Sequence, residues 1–324
     1  MIHIITIKDE YVGISVKNFL KKKIDLSFHD INKNIDSKRI TLNQKKIKQG
    51  DKLSKGDTIE IHSDKIKERK PKQNTIQARD LKIPIIYEDK ELLVLNKPAG
   101  VVVQGAQDND TSLSLHLQFL KEKNKDSSDF QYFHAHRIDK LTSGVLVCGK
   151  TRESIRELNK LFKEKKIKKE YLCLCYGHFN KKKGEISVPL KKTSEEVFEK
   201  VTTTSTEDKE GRPTLSLYHV LNEYKYKGEK FSLVEVEIKT GFTHQIRVHM
   251  KYLGHEIVGD KMYANQKINN LFIMLKRHFL HAKLLQFKYK NKKFTFDAPM
   301  TQDLKGILKL IKEERKSSKN TSFT

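Results

Sequence analysis

A short polar segment, HAHRIDKLTSG (residues 134–144), combines several side chains that can take part in catalysis. It contains two histidines, an arginine, an aspartate, a threonine and a serine, and it precedes an apolar run. Loops at strand ends commonly carry catalytic groups on a rigid scaffold. The same residues also fit a salt-bridged turn in which Asp139 pairs with Arg137 or Lys140. The side-chain chemistry alone leaves both interpretations open.

The apolar run that follows also matches a nucleotide-binding pattern. Residues 144–151, GVLVCGKT, satisfy G-x-x-x-x-G-K-[ST]. A phosphate cradle needs a flexible loop whose amides surround an anion, whereas Val-Leu-Val-Cys favours an extended, buried strand. We therefore predict a strand here and no nucleotide site.

Metal binding and disulfide chemistry find little support. Three cysteines fit a reduced compartment better than a disulfide framework. Cys173 and Cys175 lie two apart on a predicted strand, so they share one face, but no further Cys/His set completes a tetrahedral site. His244 and His249 are five apart on a predicted helix and do not share a face. We expect no metal and no cofactor.

Length and charge narrow the class of protein. The 324 residues favour two domains. A net charge of +24 favours a polyphosphate partner, and hence nucleic acid, although the excess of Lys over Arg also fits an A/T-rich coding bias. No apolar window of membrane-spanning length is present and the N-terminus lacks a signal-peptide pattern. We expect no membrane association and a cytoplasmic protein.

The chain divides into four predicted segments. Residues 1–62 combine two helices with a short strand unit and predict a small α+β domain. Residues 63–80 are charged and predict a basic linker. Residues 81–312 mix strands and helices without a regular βαβ rhythm, which predicts an α+β fold around a mainly antiparallel sheet. Residues 313–324 predict a disordered tail.

Within the larger segment, periodicity predicts the elements that position the polar residues. Residues 170–177 and 231–238 alternate apolar and polar side chains and predict strands. Residues 151–167 and 243–254 carry apolar side chains at helical spacing, with Thr151 as an N-cap.

Five blocks, taken in order, resemble the RluA-type RNA pseudouridine synthase family. HRIDKLTSG resembles the family signature His-Arg-Leu-Asp-x-x-Thr-Ser-Gly. The other blocks are YEDKELLVLNKPAGVVV (87–103), KKEYLCLCYG (168–177), KTGFTHQIRVHMKYLGHEIVGDKMY (239–263), and FLHAKLLQF (279–287) with APM (298–300). The resemblance implies the pseudouridine synthase fold, with a mainly antiparallel mixed sheet.

The resemblance also implies the reaction and three catalytic residues. The reaction breaks the bond from ribose to the base nitrogen, turns the uracil and rejoins it through carbon 5, without a cofactor. Asp139 matches the catalytic aspartate, Arg247 the arginine that pairs with it, and Tyr171 the tyrosine that stacks on the base. As residues alone, Tyr171 also fits a packing role in the sheet, and Arg247 a phosphate contact or a surface helix charge.

RNA contacts are expected around this loop, because a stacked uracil must flip into a pocket. Arg137 is expected to fill the gap left by the flipped base or to bind its phosphate. The complete set of predicted RNA-binding residues is His136, Arg137, Thr142, His244 and Gln245.

Two further features concern RNA recognition. Residues 13–61 resemble the small RNA-binding module shared with a ribosomal small-subunit protein and tyrosyl-tRNA synthetases, although Gly13-Ile14-Ser15 replaces the usual Arg-Leu-Asp-like opening. Phe242 replaces the arginine of the family's Thr-Gly-Arg-Thr-His, which predicts a change in affinity or site choice without loss of chemistry.

Within the family, the arrangement is most similar to the RluC branch, which modifies 23S ribosomal RNA. The predicted partner is therefore 23S ribosomal RNA, within a large-subunit precursor or free, and a monomer suffices. The alternatives are the same chemistry at an RluD-like site or on transfer RNA, or a catalytically silent RNA-binding protein of ribosome assembly.

Overall fold

The chain folds as two units, residues 1–75 and 76–324. The computed structural model describes residues 2–24, 26, 28–48, 50–62, 78–103, 111–124, 132–193 and 200–320. Most of the predicted linker, residues 63–80, lies outside the described residues, and the predicted domain boundaries stay predictions.

The first unit is a four-stranded antiparallel sheet with two helices. Its elements are β1 (Ile2–Thr6), α1 (Val16–Lys23), α2 (Phe28–Asp36), β2 (Ile40–Leu42), β3 (Lys45–Lys46) and β4 (Thr58–His62), with strand order β1-β4-β2-β3. Side chains at helical spacing, such as Phe19 and Ile31, are fully buried with the strand residues Ile40 and Ile59. The unit therefore has its own apolar core.

The second unit is built on one large sheet. Its elements are β5 (Ile85–Glu88), β6 (Leu92–Lys97), α3 (Leu113–Lys123), β7 (Phe133–His134), β8 (Ser143–Gly149), α4 (Arg152–Lys163), β9 (Lys168–Tyr176), β10 (Lys183–Ile186), β11 (Leu190–Thr193), β12 (Lys200–Thr203), β13 (Ser216–Tyr226), β14 (Glu229–Ile238), α5 (Gln245–Tyr252), α6 (Gln266–Leu271), β15 (Leu280–Tyr289), β16 (Lys292–Asp297) and α7 (Gln302–Asn320).

Ten of these strands form a mixed sheet. Eight follow the order β10-β13-β14-β9-β15-β8-β6-β5, while β16 pairs with β15 and β7 with β8. Among the described strands, β8 and β15 form the one parallel pair, and every other pair is antiparallel. The strands β11 and β12 form a separate hairpin. The predicted α+β class with a mainly antiparallel mixed sheet is confirmed.

The parallel junction explains one glycine of the polar segment. Gly144 has a φ of +121°, and a Cβ built there would lie 2.1 Å from the carbonyl oxygen of Ala282 in β15. Only glycine allows the two strands to approach so closely with this backbone conformation. The segment that contains Asp139 therefore ends in the middle of the sheet.

The apolar run after the polar segment is a strand, as predicted. Residues 143–149 of β8 are all buried. Thr151 begins α4 with a capping box, in which its hydroxyl accepts from the N–H of Ser154 and its own N–H donates to the Ser154 hydroxyl. An extended strand is not the flexible loop that a phosphate cradle needs.

The C-terminal segment differs from its prediction. The structure continues α7 to Asn320, where disorder was expected over 313–324, and residues 321–324 lie outside the described residues. Residues 313–320, EERKSSKN, contain neither Gly nor Pro, the two residues that oppose a helix most strongly. No described helix is both long and apolar enough to cross a membrane.

A buried histidine joins α5 to the start of β13. Nε2 of His249 lies 2.8 Å from the hydroxyl of Thr214, and Nδ1 lies 3.0 Å from the hydroxyl of Ser216. Burial lowers the pKa of His249 to about 4. The neutral imidazole therefore holds the helix that carries Arg247.

We expect His249 to make the protein sensitive to mild acid. Its folded pKa lies below the unfolded value of about 6.5, so the unfolded chain binds more protons as the pH falls below that value. Between pH 7 and pH 5 this histidine should remove about 2 kcal/mol of stability. Urea unfolding at both pH values measures the loss, which should shrink by that amount in His249→Asn. An unchanged pH dependence in the variant would contradict the assignment.

Candidate active site

Asp139 lies in the loop between β7 and β8, with 23% of its side chain exposed. The carbonyl groups that follow it accept hydrogen bonds from two other segments of the chain. The N–H of Gly100 donates to the carbonyl of Lys140 at 2.8 Å. The Arg277 guanidinium donates to the carbonyl of Leu141 at 3.1 Å. These bonds fix the backbone on the C-terminal side of the carboxylate.

Lys97 reaches the same loop from the end of β6. It is fully buried. Its ammonium group donates to the carbonyl of Lys140 at 3.1 Å and to those of Pro98 and Val101 at 2.9 and 3.0 Å. Burial, reinforced by the charge of Arg277, lowers the pKa of Lys97 to about 7. A buried lysine thus ties the turn after β6 to the loop of the candidate carboxylate.

Arg247 contacts two carboxylates from within α5. Its Nη1 lies 3.5 Å from Oδ2 of Asp139, the contact that the resemblance implied. Its shorter bonds go to Asp260, with Nε to Oδ2 at 2.6 Å and Nη2 to Oδ1 at 2.9 Å. Burial alone would lower the pKa of Arg247, but Asp260 outweighs burial and raises it. The guanidinium is therefore anchored on one side and presented to Asp139 on the other.

Asp260 was missed in the sequence. Its side chain is fully buried, and Oδ1 also accepts from the N–H groups of Met262 and Tyr263 at 3.0 and 3.1 Å. Burial would raise the pKa of Asp260, but the bonds from Arg247 overcome that effect and lower it. In the sequence, Asp260 is visible only as an aspartate that follows a glycine, thirteen positions after Arg247. No local spacing rule pairs an aspartate at that distance with an arginine on a helix.

Tyr263 contacts the guanidinium of Arg247 through the face of its ring. Its ring centroid lies 4.8 Å from the Arg247 guanidinium carbon, a cation–π distance. Its hydroxyl accepts from the N–H of Val201 at 3.0 Å and lies 2.8 Å from Nδ1 of His244. The other ring nitrogen of His244 lies 3.9 Å from Oδ2 of Asp139. Tyr263 thus contacts both groups that flank the candidate carboxylate.

Arg277 and His278 hold the far end of the loop. Arg277 is buried, forms a two-point ion pair with Asp303 at 2.7 and 3.1 Å, and donates to the hydroxyl of Ser143 at 3.2 Å. Nε2 of His278 lies 2.9 Å from the Thr142 hydroxyl. Burial, with the positive charge of Arg247, lowers the pKa of His278 to about 3. The loop is therefore fixed to the first turn of α7 and to the segment before β15.

The three predicted catalytic residues line one cavity of about 440 Å³. Tyr171 is 7% exposed in β9, and burial together with the nearby charge of Asp139 raises its pKa. Asp139 and Arg247 lie at the same cavity. Tyr171 and Arg247, which are 32 and 108 positions from Asp139 along the chain, thus line the same cavity as Asp139. The alternative in which Asp139 only closes a local turn does not describe its contacts with Arg247 and His244.

The five predicted RNA-binding residues also line the cavity, but they differ in exposure and in their hydrogen bonds to the protein. Arg137 is exposed. The hydroxyl of Thr142 is engaged by His278, as described above. Gln245 is buried, and its amide donates to the carbonyl of Leu215 and the hydroxyl of Ser216. Gln245 therefore supports the fold of this region, and Arg137 is the more accessible candidate for RNA.

The histidines in that set serve the scaffold as well. His136 accepts from the N–H of Val147 at 3.1 Å and stacks on Phe162 with ring centroids 4.7 Å apart. Burial lowers the pKa of His136 to about 3, so the ring is neutral. His244 has a left-handed φ of +57° and precedes α5. Its placement beside Asp139 depends on that turn.

Phe242 occupies the cavity wall where an arginine was expected from the resemblance. Its ring packs against a small apolar cluster that includes Val201, Val248 and Tyr263. Its N–H donates to the side-chain oxygen of Gln245 at 3.1 Å. An apolar ring therefore covers part of an otherwise cationic wall.

A metal centre has no support among the residues that the structure describes, where no group of three His, Cys, Asp or Glu side chains is placed to hold an ion. Cys173 and Cys175 share one face of β9, as predicted, with their sulfur atoms 3.6 Å apart and both side chains buried. They are packing residues of the sheet.

Comparison with known proteins identifies the class to which this fold and site belong. The model of the RNA pseudouridylate synthase family matches residues 91–252. The chain is 32% identical to the ribosomal large subunit pseudouridine synthase C of Buchnera aphidicola subsp. Baizongia pistaciae, covering 95% of this chain and 96% of that protein. It is 30% identical to the protein of the same name from Salmonella typhi, covering 97% and 98%.

A solved structure gives the same fold. Human RNA pseudouridylate synthase domain containing 4 covers 70% of this chain and 92% of its own, with a TM-score of 0.58 and 20% identity. The chain belongs to the RNA pseudouridylate synthase family, and the prediction of an RNA pseudouridine synthase is confirmed.

We predict that Asp260→Asn weakens both stability and pseudouridine formation. Removing one partner of a buried ion pair leaves Arg247 uncompensated, and the free energy of unfolding should fall by about 3 kcal/mol. The freed guanidinium no longer holds a fixed position beside Asp139, so the single-turnover rate should fall more than the RNA affinity. Urea unfolding and single-turnover assays measure the two effects, with the exposed Asp297→Asn as control. Normal turnover in a folded Asp260→Asn protein would contradict the positioning role.

Proposed function

We propose that this protein converts specific uridines of 23S ribosomal RNA to pseudouridine, with Asp139 as the catalytic carboxylate. One observation carries the catalytic assignment: Asp139 is the one acidic side chain among the described residues that line the cavity. Arg137, Lys163, Lys169 and Arg247 line the same cavity. A cationic wall with a single carboxylate suits a polyanionic substrate and one reacting group.

The reaction is an isomerisation that needs no oxidant. The bond between ribose and the base nitrogen breaks, a bond from the same ribose carbon to carbon 5 forms, the hydrogen at carbon 5 leaves as a proton, and the released nitrogen takes up a proton. A flipped uracil is accommodated in the cavity of about 440 Å³. Asp139 acts on the nucleotide while Arg247 fixes its orientation, and Tyr171 offers its ring to the base.

The substrate assignment rests on the relatives. The two proteins compared above are named for the ribosomal large subunit, and each aligns with nearly the full length of this chain. We therefore assign 23S ribosomal RNA as the partner, with the first unit as an additional RNA-binding module. The protein is proposed to act as a monomer in the cytoplasm.

The test of this function is tritium release from ribosomal RNA transcripts labelled at carbon 5 of uridine. Formation of the new carbon–carbon bond expels that hydrogen, so release is expected with free 23S RNA or with a large-subunit precursor. Release from transfer RNA alone would move the chemistry to another substrate. No release from any of these RNAs would favour a silent RNA-binding protein.

We predict that Asp139→Asn abolishes turnover and leaves the fold and RNA affinity near normal. The amide keeps the size of the side chain but loses the charge and the basic oxygen that the reaction uses. The single-turnover rate should fall by about three orders of magnitude or more, the scale of losing a unique reacting group. Asp297→Asn, an exposed carboxylate in β16, is the matched control and should retain the normal rate. A near-normal rate in Asp139→Asn would refute its role.

Deletion of residues 1–62 should weaken RNA binding more than it slows bound-state chemistry. The deleted unit has its own core, and the cavity residues all belong to the second unit. Kd and the single-turnover rate at saturating enzyme separate the two effects. A large fall in the saturated rate would show instead that the first unit takes part in building the site.

A further inference from the structure

A second cavity, of about 380 Å³, is lined by α5 and by the strands β11 and β12. Val248, Lys251 and Tyr252 line it from one face of the helix, since they are three and four positions apart. Arg247, the next residue to Val248, lines the first cavity. The opposite wall comes from the hairpin β11–β12, through Thr193 and residues 200–203.

The chemistry of this second cavity suits an anionic ligand with a flat ring. Lys200 and Lys251 line it, and none of its described lining residues is acidic. Three threonines and two tyrosines add hydroxyl groups. Tyr252 is 58% exposed and lines the cavity together with the two lysines. Cations with an exposed aromatic ring are the combination that binds a phosphate and stacks a base.

The second cavity is also connected to the candidate active site through Tyr263. This tyrosine lines the second cavity, and its ring lies under the guanidinium of Arg247. Its hydroxyl accepts a hydrogen bond from the N–H of Val201 in β12. The same hydroxyl contacts His244, which lies beside Asp139. Whatever fixes β12 against α5 therefore also fixes the ring on which Arg247 rests.

We propose that this second cavity binds a nucleotide of the substrate RNA that flanks the target uridine. Tyr252 stacks on its base, and Lys251 contacts its phosphate. The bound nucleotide holds β12 against α5 while the target uracil occupies the first cavity. This inference rests on the proposed function, because it requires RNA as the substrate. It adds a specificity site that reads the RNA beyond the modified base.

RNA explains the second cavity better than an acidic protein segment does. A peptide carboxylate would use the lysines but would leave the exposed tyrosine ring without a planar partner. Both cavities are lined by residues of α5, so neighbouring nucleotides of one RNA strand are the natural occupants of the two. A protein ligand in the second cavity would give no reason for Tyr263 to contact both this cavity and the candidate active site.

The experiment compares Tyr252→Ala and Lys251→Ala in the full-length protein with the control Lys305→Ala, an exposed lysine on α7. All three changes are on helices, where alanine preserves the backbone. The probe is a ribosomal stem-loop containing the target uridine, and a second probe is the same RNA trimmed to the target loop. Kd is measured for both RNAs, over a range of salt concentrations for the stem-loop.

For the stem-loop, Tyr252→Ala should raise Kd about tenfold, the scale of one lost base stack. Lys251→Ala should reduce the slope of log affinity against log salt by about one contact. Both variants should differ from Lys305→Ala by less than about twofold on the trimmed RNA, because the flanking nucleotide is gone. A general loss of structure would affect both RNAs equally.

Two results with the RNA probes would overturn the proposal: equal Kd values for Tyr252→Ala and Lys305→Ala on the stem-loop, or equal losses on the long and trimmed RNAs. Weakened binding of an acidic peptide with unchanged RNA affinity would assign the second cavity to protein instead and would also overturn it. Tritium release by the wild-type protein is scored separately. Its absence would refute the proposed function, whereas its presence with unaffected variants would refute only the second cavity.

Discussion

One guanidinium between two carboxylates is the interaction on which the rest of the site depends. Asp260 holds Arg247 by two short bonds in full burial, and the remaining side of the guanidinium faces Asp139 at 3.5 Å. Such a pair is costly to break, because either partner left alone is an uncompensated buried charge. The unequal distances separate two tasks. The short bonds fix the cation, and the longer contact leaves Asp139 partly exposed for a substrate.

The surrounding scaffold serves the same purpose from the backbone side. Lys97 and Arg277 are buried basic side chains that donate to consecutive carbonyls of the loop after Asp139. The parallel pairing of β8 with β15, which requires Gly144, fixes where that loop ends. The carboxylate therefore needs little reorganisation before it reacts, which is the condition for effective positioning.

Local patterns in the sequence predicted helices and strands well. They predicted contacts between residues that are distant in the sequence poorly. The strand of β8, the cap at Thr151 and the helix after His244 each follow from neighbouring residues, so spacing rules find them. Resemblance of whole blocks brought Asp139, Tyr171 and Arg247 together. The role of Asp260 was not predicted, because only the tertiary fold brings it to its partner Arg247. The structure shows Gln245 and His136 bonded to the scaffold, while their contact with RNA stays a prediction. A polar residue looks the same in sequence whether it bonds to the scaffold or to a ligand.

A double-mutant cycle tests the central claim most directly. Single-turnover rates are measured for the wild-type protein, Arg247→Lys, Asp260→Asn and the double variant, all at saturating enzyme. Lysine cannot reproduce the two-point bond of arginine to a carboxylate. If Asp260 acts only by holding Arg247, the double variant should be no slower than Arg247→Lys alone. Penalties that add in full would show that Asp260 affects catalysis independently, and would contradict the account of one shared guanidinium.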